Sequence, residues 1–458
     1  MQIRIEPEAS TAQSPAMSQA MEDLFSVLRF PSISTDSKHA GDVRACGEWY
    51  VEKFKGMGLE AQLHETAKHP VVIARNERKE GRKTVLIYGH YDVQPVDPLN
   101  LWDSEPFEPV IKDGKIWARG ATDNKGQHMA HLLGVEAMLK EKGELPVNLI
   151  FLLEGEEEIG SPNLPAFLEE RKEELACDVI VVSDTGMVAE GEPTLGYGLR
   201  GIACCEVKVY GPDKDLHSGV YGGSVANPAT VAARLMASLH DEQGRVAVPG
   251  FYDEVVPLED WEREMWQSVP GMDDADLLAV TGSPALSGEE GYSPAERIWG
   301  RPTCEVNGMW GGYQGEGSKT VLPAEAGFKL SCRLVPDQEP ATILQRVEAH
   351  LMAQAPEGVR VEIEMGHSGK AYVCDPHSEE GKAAQDALKD VFGKEPVLIR
   401  EGGSIPIIQS MKEILGVDTL MLGLALPDCQ IHSPNENFTV ENFEKGIELC
   451  QVLLEKLG

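Results

Sequence analysis

Residues 84–95 read TVLIYGHYDVQP, and this stretch decides how the rest of the chain is read. Its apolar run has no polar alternation, which describes a strand buried on both faces, as in parallel sheets. It ends in His90 and Asp92, able to bind metal. Further apolar runs lie at Val71–Ala74, Val147–Leu153 and Asp178–Val182. Between them, Lys125–Lys142 carries Met129, Leu132, Leu133, Met138 and Leu139 at helical spacing, and Leu164–Leu175 is a second expected helix. Short buried strands alternating with helices predict βαβ units, hence an α/β fold with a mostly parallel sheet.

The texture changes after Gly201. Ile202–Tyr210 (IACCEVKVY) reads as a strand, and Asn227-Pro228 as an N-cap followed by proline, opening a helix through Leu239. Residues 241–300, rich in Gly, Pro, acids and aromatics, read as a long irregular insertion. Strands are expected at Gly327–Leu334 and Val359–Glu364, with a helix at Ala341–Ala353 between them. The α/β pattern resumes near His377 with helix Gly381–Phe392, strand Val417–Leu424 and helix Asn442–Leu457. The expected organisation is therefore a catalytic domain of residues 1–200 and 377–458, interrupted by a smaller α+β domain over 201–376.

Charge narrows the partners. The 458 residues hold 75 acidic and 41 basic side chains, a formal net charge of −34. Such a surface repels phosphate backbones and anionic lipid, so neither nucleic acid nor membrane is an expected partner. The nine cysteines form no CxxC pair, which favours a reducing compartment. The first 25 residues lack the apolar core of a secretory leader, and no apolar run approaches the roughly 20 residues that span a bilayer. A cytoplasmic location is expected.

Four apolar strands end in residues able to bind metal. VLIYG leads to His90 and Asp92, NLIFLLEG to Glu156, Glu157 and Glu158, VIVVS to Asp184, and the 417–424 strand through a loop to His432. Ligands of open α/β sheets bind beyond the carboxyl ends of strands, so these side chains are placed to converge. Asp123, in RGATDNKG, is a fifth candidate. Each alone has a plainer explanation. Asp123 would ordinarily be a helix N-cap, Glu156–Glu158 a solvated acidic turn, and Asp92 or Asp184 a loop-starting residue. A lone histidine is seldom a ligand. The pattern over successive strand ends is what carries weight. His128 and His131 share a helix face without an HExxH motif and are read as structural or supporting.

Two other motifs are set aside. Gly196-Tyr197-Gly198-Leu199-Arg200-Gly201 matches GxGxxG, but a strand follows it where dinucleotide binding needs a helix. There is no GxSxG elbow for a serine hydrolase.

The sequence resembles the metallopeptidase family of carnosine dipeptidases, cytosolic nonspecific dipeptidases, aminoacylases and diaminopimelate desuccinylases. The resemblance rests on GHYDVQP (89–95), WARGATDNKG (117–126), LLEGEEEIGS (152–161), VVSDTG (181–186), DLHSGVYGG (215–223), SCRLVP (331–336), REGGSIP (400–406) and IHSPNENF (431–438). These occur in the family's order over nearly the whole chain, are closest to the dipeptidase branch, and show no departure at a ligand position.

The resemblance implies two divalent ions, zinc foremost, with manganese or cobalt as alternatives. Asp123 would bridge them, His90 and Asp184 completing one site and Glu158 and His432 the other. Asp92 would orient His90, and Glu157 would be the general base for a metal-bridging hydroxide. Arg333 would hold a substrate carboxylate, while Thr320 and the Gly402–Ser404 turn, with Gly403 and Ser404, would contact the substrate backbone. His217 would act across a homodimer formed by the inserted lid domain. A cis Asp123–Asn124 peptide is also implied. One imidazole and two carboxylates per ion suit zinc, cobalt or manganese equally. The expected activity is amide hydrolysis of small peptides with a free C-terminus. An N-acyl amino acid amidohydrolase is the enzymatic rival, and a non-catalytic binding homologue the rival of another class. The retained Glu157 weighs against the latter, since a binding protein has no use for a base there.

Overall fold

The computed structural model describes residues 15–458, so most of the segment read for a leader lies outside the described residues. The chain packs as two compact units. One runs up to Pro193 and takes in Lys382–Glu395 and Leu420–Gly458; the other comprises Thr194–Gly381 and Pro396–Thr419. The expected partition differs from this division chiefly at 396–419, which packs with the second unit.

The first unit is α/β. Its strands follow the order Glu60–His64, Val71–Arg75, Asn148–Glu154, Thr84–His90, Val179–Val182 and Thr419–Gly423. The central strand, Thr84–His90, pairs in parallel with both Asn148–Glu154 and Val179–Val182, while Val71–Arg75 pairs antiparallel at the side. Every residue of Thr84–His90 and Asn148–Glu154 is buried, which is why these segments lack polar alternation. The helix Lys125–Lys142 spans the expected residues and ends on Gly143 in the left-handed conformation. It packs on the C-terminal helix Val440–Leu457, where a Cβ at Gly134 would meet the Ile447 carbonyl oxygen at 2.7 Å and the Cys450 Cβ at 2.6 Å. Glycine lets these helix axes approach. The helix expected over Leu164–Leu175 stops at Glu170.

The second unit contains a four-stranded antiparallel sheet in the order Thr303–Gly311, Glu325–Leu334, Gly201–Tyr210, Arg360–Gly369. Gly201–Tyr210 alternates buried and half-buried residues along its length. Its inner face, with Ala203, Cys205, Val207 and Val209, joins Val231, Leu235, Ile343 and Val347 of helices Pro228–Ala237 and Pro340–Gln354 in one core. Residues 241–300, expected to be irregular, hold two short α-helices, Asp260–Trp266 and Asp274–Thr281, and end in a π-helical turn at Glu296–Gly300. The Glu259/Glu262 capping box and the Asp273 side-chain cap start the two α-helices. After the GYGLRG motif a strand follows, so the dinucleotide reading is correctly rejected.

Among the described residues no helix is long and apolar enough to cross a membrane. All nine cysteines are free.

Candidate metal centre

The five expected ligands meet in the first unit. His90 ends the buried Thr84–His90 strand, and Gly89 beside it lets the 125–142 helix approach. A Cβ there would lie 2.8 Å from the His128 Cβ and 2.9 Å from Asn124 Oδ1. Asn124 is thereby brought against the site: its Oδ1 accepts from the His90 N–H at 3.3 Å, and its Nδ2 donates to Asp184 Oδ1 at 2.8 Å. The Asp123–Asn124 peptide is cis, as expected.

Asp123 uses its two oxygens in two directions. Oδ1 lies 3.0 Å from His90 Nε2 and Oδ2 lies 2.9 Å from His432 Nε2. Asp184 Oδ2 stands 3.6 Å from His90 Nε2, and Glu158 Oε2 stands 3.3 Å from His432 Nε2. Two triads result, His90–Asp123–Asp184 and Asp123–Glu158–His432, each with ligand atoms within 4.8 Å of one another. Asp123 belongs to both. His432 reaches its position from a loop where its own φ is 60°, a left-handed conformation uncommon outside glycine.

The fit to cations has a direct mark. His90 Nε2 is fully buried and makes no hydrogen bond, although carboxylates surround it. A buried ring nitrogen aimed at a point shared with two carboxylates is what a divalent ion requires and what a packed core avoids. The protonation pattern agrees. Burial would lower the His90 pKa, but Asp184 and Asp123 outweigh it and raise it well above its usual value. Hydrogen bonding to Asp123 and Glu158 raises His432 to about 10. Burial would raise Asp123, yet its two imidazole partners hold it well below the carboxylate range. Burial and the Asp123 charge raise Glu158 to about 7. Burial first, then nearby carboxylates, raises Glu157 well above its ordinary value. Carboxylates this crowded hold protons when nothing more highly charged is present.

A profile of "Peptidase family M20/M25/M40" matches residues 86–456, spanning all of these ligands. The chain belongs to this peptidase family. It is 34% identical over 455 residues to the Cys-Gly metallodipeptidase DUG1 of Candida albicans, covering 94% of this chain and 93% of that protein. The human Beta-Ala-His dipeptidase is 33% identical over 389 residues, 83% of this chain and 76% of its own. Among solved structures, the M20 family metallo-carboxypeptidase Sso-CP2 from Sulfolobus solfataricus superposes with a TM-score of 0.85 at 34% identity, covering 96% of this chain and 99% of that one. The resemblance read from the motifs is borne out.

Around the two triads of this peptidase lies a supporting layer. Asp92 was expected to orient His90 through its carboxylate. The contact to His90 Nδ1 comes mainly from the Asp92 carbonyl oxygen at 3.1 Å, the carboxylate Oδ1 lying at 3.5 Å. The Asp92 carboxylate instead accepts the backbone N–H groups of Glu157 and Glu158, at 3.2 and 3.1 Å. It thus fixes the turn carrying one ligand and the expected base. Gln94 Nε2 donates to Glu158 Oε2 at 2.7 Å. His128 bonds Tyr50 Oη at 2.6 Å and Asn124 Oδ1 at 3.1 Å, and His131 bonds Ser183 Oγ at 2.7 Å, so neither joins a triad and both support it from behind.

Sequence reading missed Glu436. Its buried carboxylate accepts from Gly120 N at 2.9 Å, Thr122 N at 2.8 Å, Asp123 N at 2.9 Å and Arg119 Nη1 at 2.7 Å. Burial pushes this carboxyl up in pKa while Arg119 and the backbone donors oppose it. Four donors need an acceptor-only group, which fixes Glu436 as ionised. The signal was present in IHSPNENF, but only the fold reveals its partner loop.

The other expected residues lie in the second unit and form two groups. His217 pairs with Val321 across a short ladder, and Ser218 N donates to the Thr320 carbonyl at 3.0 Å. Arg333 Nη1 donates to Ser404 Oγ at 2.7 Å, and Arg200 N donates to the Gly403 carbonyl at 3.1 Å.

Proposed function

We propose that this peptidase hydrolyses dipeptides and similarly small peptides with a free C-terminal carboxylate, as a cytoplasmic homodimer. The observation that carries the reading is the pair of triads sharing Asp123, with Glu157 beside them on the turn that supplies Glu158. The five ligands would hold two divalent ions, zinc foremost, with manganese or cobalt also suited to imidazole and carboxylate donors. Such ions, when bound, acidify water to a pKa of about 7 and polarise a carbonyl oxygen.

The chain's own residues do the rest. Glu157 takes the proton of the attacking water and passes it to the departing amine. Its raised pKa suits that exchange, and among the described residues its carboxylate has no hydrogen-bond or ion-pair partner to compete for the proton. Asp92 holds the Glu157 backbone in place. Arg333, oriented by Ser404, grips the substrate carboxylate through its planar fork. Thr320 and Gly403 contact the peptide backbone.

His217 of a second copy donates to the developing oxyanion, a contribution of roughly 3 kcal/mol per donor in comparable sites. Its exposure supports that role, as does its Nδ1, which accepts from Gly219 N at 3.0 Å and so leaves the proton on Nε2. Val220 and Tyr221 beside it are exposed apolar residues, which suits a subunit contact. The free cysteines suit a reducing compartment.

The test is amino-acid release by chelator-stripped protein, with and without added zinc or manganese, on matched dipeptides and N-acetyl amino acids. Metal-restored cleavage of dipeptides, with the acyl substrates slow, is expected. The reverse preference moves the protein to the amidohydrolases. Two bound metals with no cleavage of either would favour a binding role.

A further inference from the structure

The GYGLRG motif finds no use in the metal centre, yet its arginine occupies a particular place in the second unit. Arg200 sits between the strands Thr194–Leu199 and Gly201–Tyr210. Its backbone N–H faces the Glu401 and Gly403 carbonyls at 3.2 and 3.1 Å, and its Nε donates to the Gly402 carbonyl at 2.9 Å. Ser404 Oγ donates to the Arg200 carbonyl and accepts from Arg333 Nη1. Arg200 and Arg333 are thereby fixed to the same short loop.

Both arginines border a cavity of about 650 Å³, together with Arg297, Arg301, Glu289 and Glu305. The charges there are unequal in availability. Arg301 is committed to Glu289 in a two-pronged pair, at 2.7 Å for each contact. Arg297 spends its Nε on the Glu289 carbonyl at 2.8 Å. Arg200 and Arg333 have no carboxylate within ion-pair distance among the described residues. The opposing charge that acts on Arg200 is Glu305, which is exposed. Burial and the neighbouring Arg333 together lower Arg200 to about 10, the sign of two cations that repel each other. In a chain of net charge −34, two adjacent arginines left without carboxylates mark a place where anionic ligand groups are stabilised.

We propose that this cavity selects substrates whose C-terminal residue carries a second negative charge, Arg333 holding the α-carboxylate and Arg200 the side-chain carboxylate. The inference rests on the peptidase reading above and on Arg333 as the carboxylate grip. It adds a specificity residue and a substrate class, dipeptides ending in Asp or Glu. Two carboxylates of one residue are close enough to meet two guanidinium groups held on one loop.

The experiment compares kcat/KM of the metal-loaded enzyme for Ala-Glu against Ala-Gln and Ala-Asp against Ala-Asn, pairs of nearly equal shape. The acidic member should be favoured roughly tenfold, the scale of one charge-assisted hydrogen bond. In Arg200→Met that ratio should fall to about one or below, and in Arg200→Lys most of it should return. Glu305→Gln, at an exposed position, should raise the ratio about twofold. If Arg200 merely supports the loop, both substrates fall together in Arg200→Met and the ratio stays, which overturns the proposal. A wild-type ratio of one or less overturns it as well. Should Arg200→Met fail to fold, the Arg200→Lys and Glu305→Gln ratios decide. Hydrolysis of neither substrate at full metal occupancy sinks the dipeptidase reading, and calorimetry with glutarate then tests the cavity alone. Binding weakened at least tenfold in Arg200→Met and largely kept in Arg200→Lys supports the dicarboxylate site, and no binding to wild type ends it.

Discussion

Glu436→Gln should damage the metal centre although Glu436 is no ligand. Its Oε1 accepts from Thr122 N and Asp123 N, and its Oε2 from Gly120 N and Arg119 Nη1, all between 2.7 and 2.9 Å. An amide turns one of these oxygens into a donor, so two of the four bonds become donor facing donor whichever way the side chain turns. The change also strips a buried arginine of its only ion-pair carboxylate among the described residues. Breaking one partner of a buried pair costs about 3–5 kcal/mol, a large share of the 5–15 kcal/mol that holds a typical domain together. Part of that cost falls on the backbone of Asp123, whose two oxygens serve both triads. Metal affinity should therefore drop roughly 10–100-fold, as it does when groups behind metal ligands are removed. The assays are urea unfolding of metal-stripped and metal-loaded protein, and a competition titration with a chromophoric chelator. A variant that loses stability but keeps wild-type metal affinity and kcat/KM would refute Glu436 as a positioning residue. It would leave the network with packing alone.

Glu157→Gln should retain both metals, because the side chain lies outside both triads, and should lose turnover by roughly 10²–10⁴-fold; metal loss in that variant would contradict the assigned role. At pH 7 the metal-free site holds protons on His90 and His432, both raised in pKa, and on part of the Glu158 population, raised to about 7, so metal binding should expel about two to three protons, read as a buffer-dependent binding enthalpy. The same raised groups stabilise the metal-free fold at low pH. That stability is complete below the ordinary histidine value of 6.5, is lost as pH climbs toward about 10, and should vanish from unfolding curves once metal replaces the protons. Mixing His217→Ala with Glu157→Ala subunits should restore some activity if His217 serves a neighbouring copy, and verified subunit exchange without recovery would place its action elsewhere.

The convergence of the expected ligands was legible because a parallel sheet turns a three-dimensional requirement into a local one. A strand such as Thr84–His90, buried on both faces, cannot end in histidine and aspartate without a reason, and the strands beside it run the same way. Convergence at one edge follows from the hydrogen-bond pattern alone. Helix Lys125–Lys142 was legible for a similar reason, since its boundaries are marked by the loop before it and by Gly143 after it. The helix Ala40–Gly56 was missed although Val43, Cys46, Gly47, Tyr50, Val51 and Phe54 bury one stripe at helical spacing. Its glycines and aromatics dilute the apolar signal. The strand Thr303–Gly311 was missed because much of it is exposed and its side chains do not alternate cleanly.

What stayed hidden is the layer that gives the ligands their aim. Glu436 and Arg119 lie 317 residues apart, and each reads on its own as an ordinary surface charge. Only closure of the small sheet that pairs Asn437–Thr439 with Lys115–Trp117 brings them together. Asp92 was recognised, but its chief work was not. Two residues after His90, it reaches the turn that begins at Glu157 and accepts both N–H groups there. One aspartate thus ties the strand carrying a member of the first triad to the turn carrying a member of the second. Asp92→Asn must place an amide where two N–H donors point, so it should disturb Glu157 and Glu158 before it disturbs His90. Its loss of kcat/KM should accordingly come with weaker metal binding at the His432 triad, while the His90 triad retains its ion. Equal loss at both triads would show that the His90 contact governs after all.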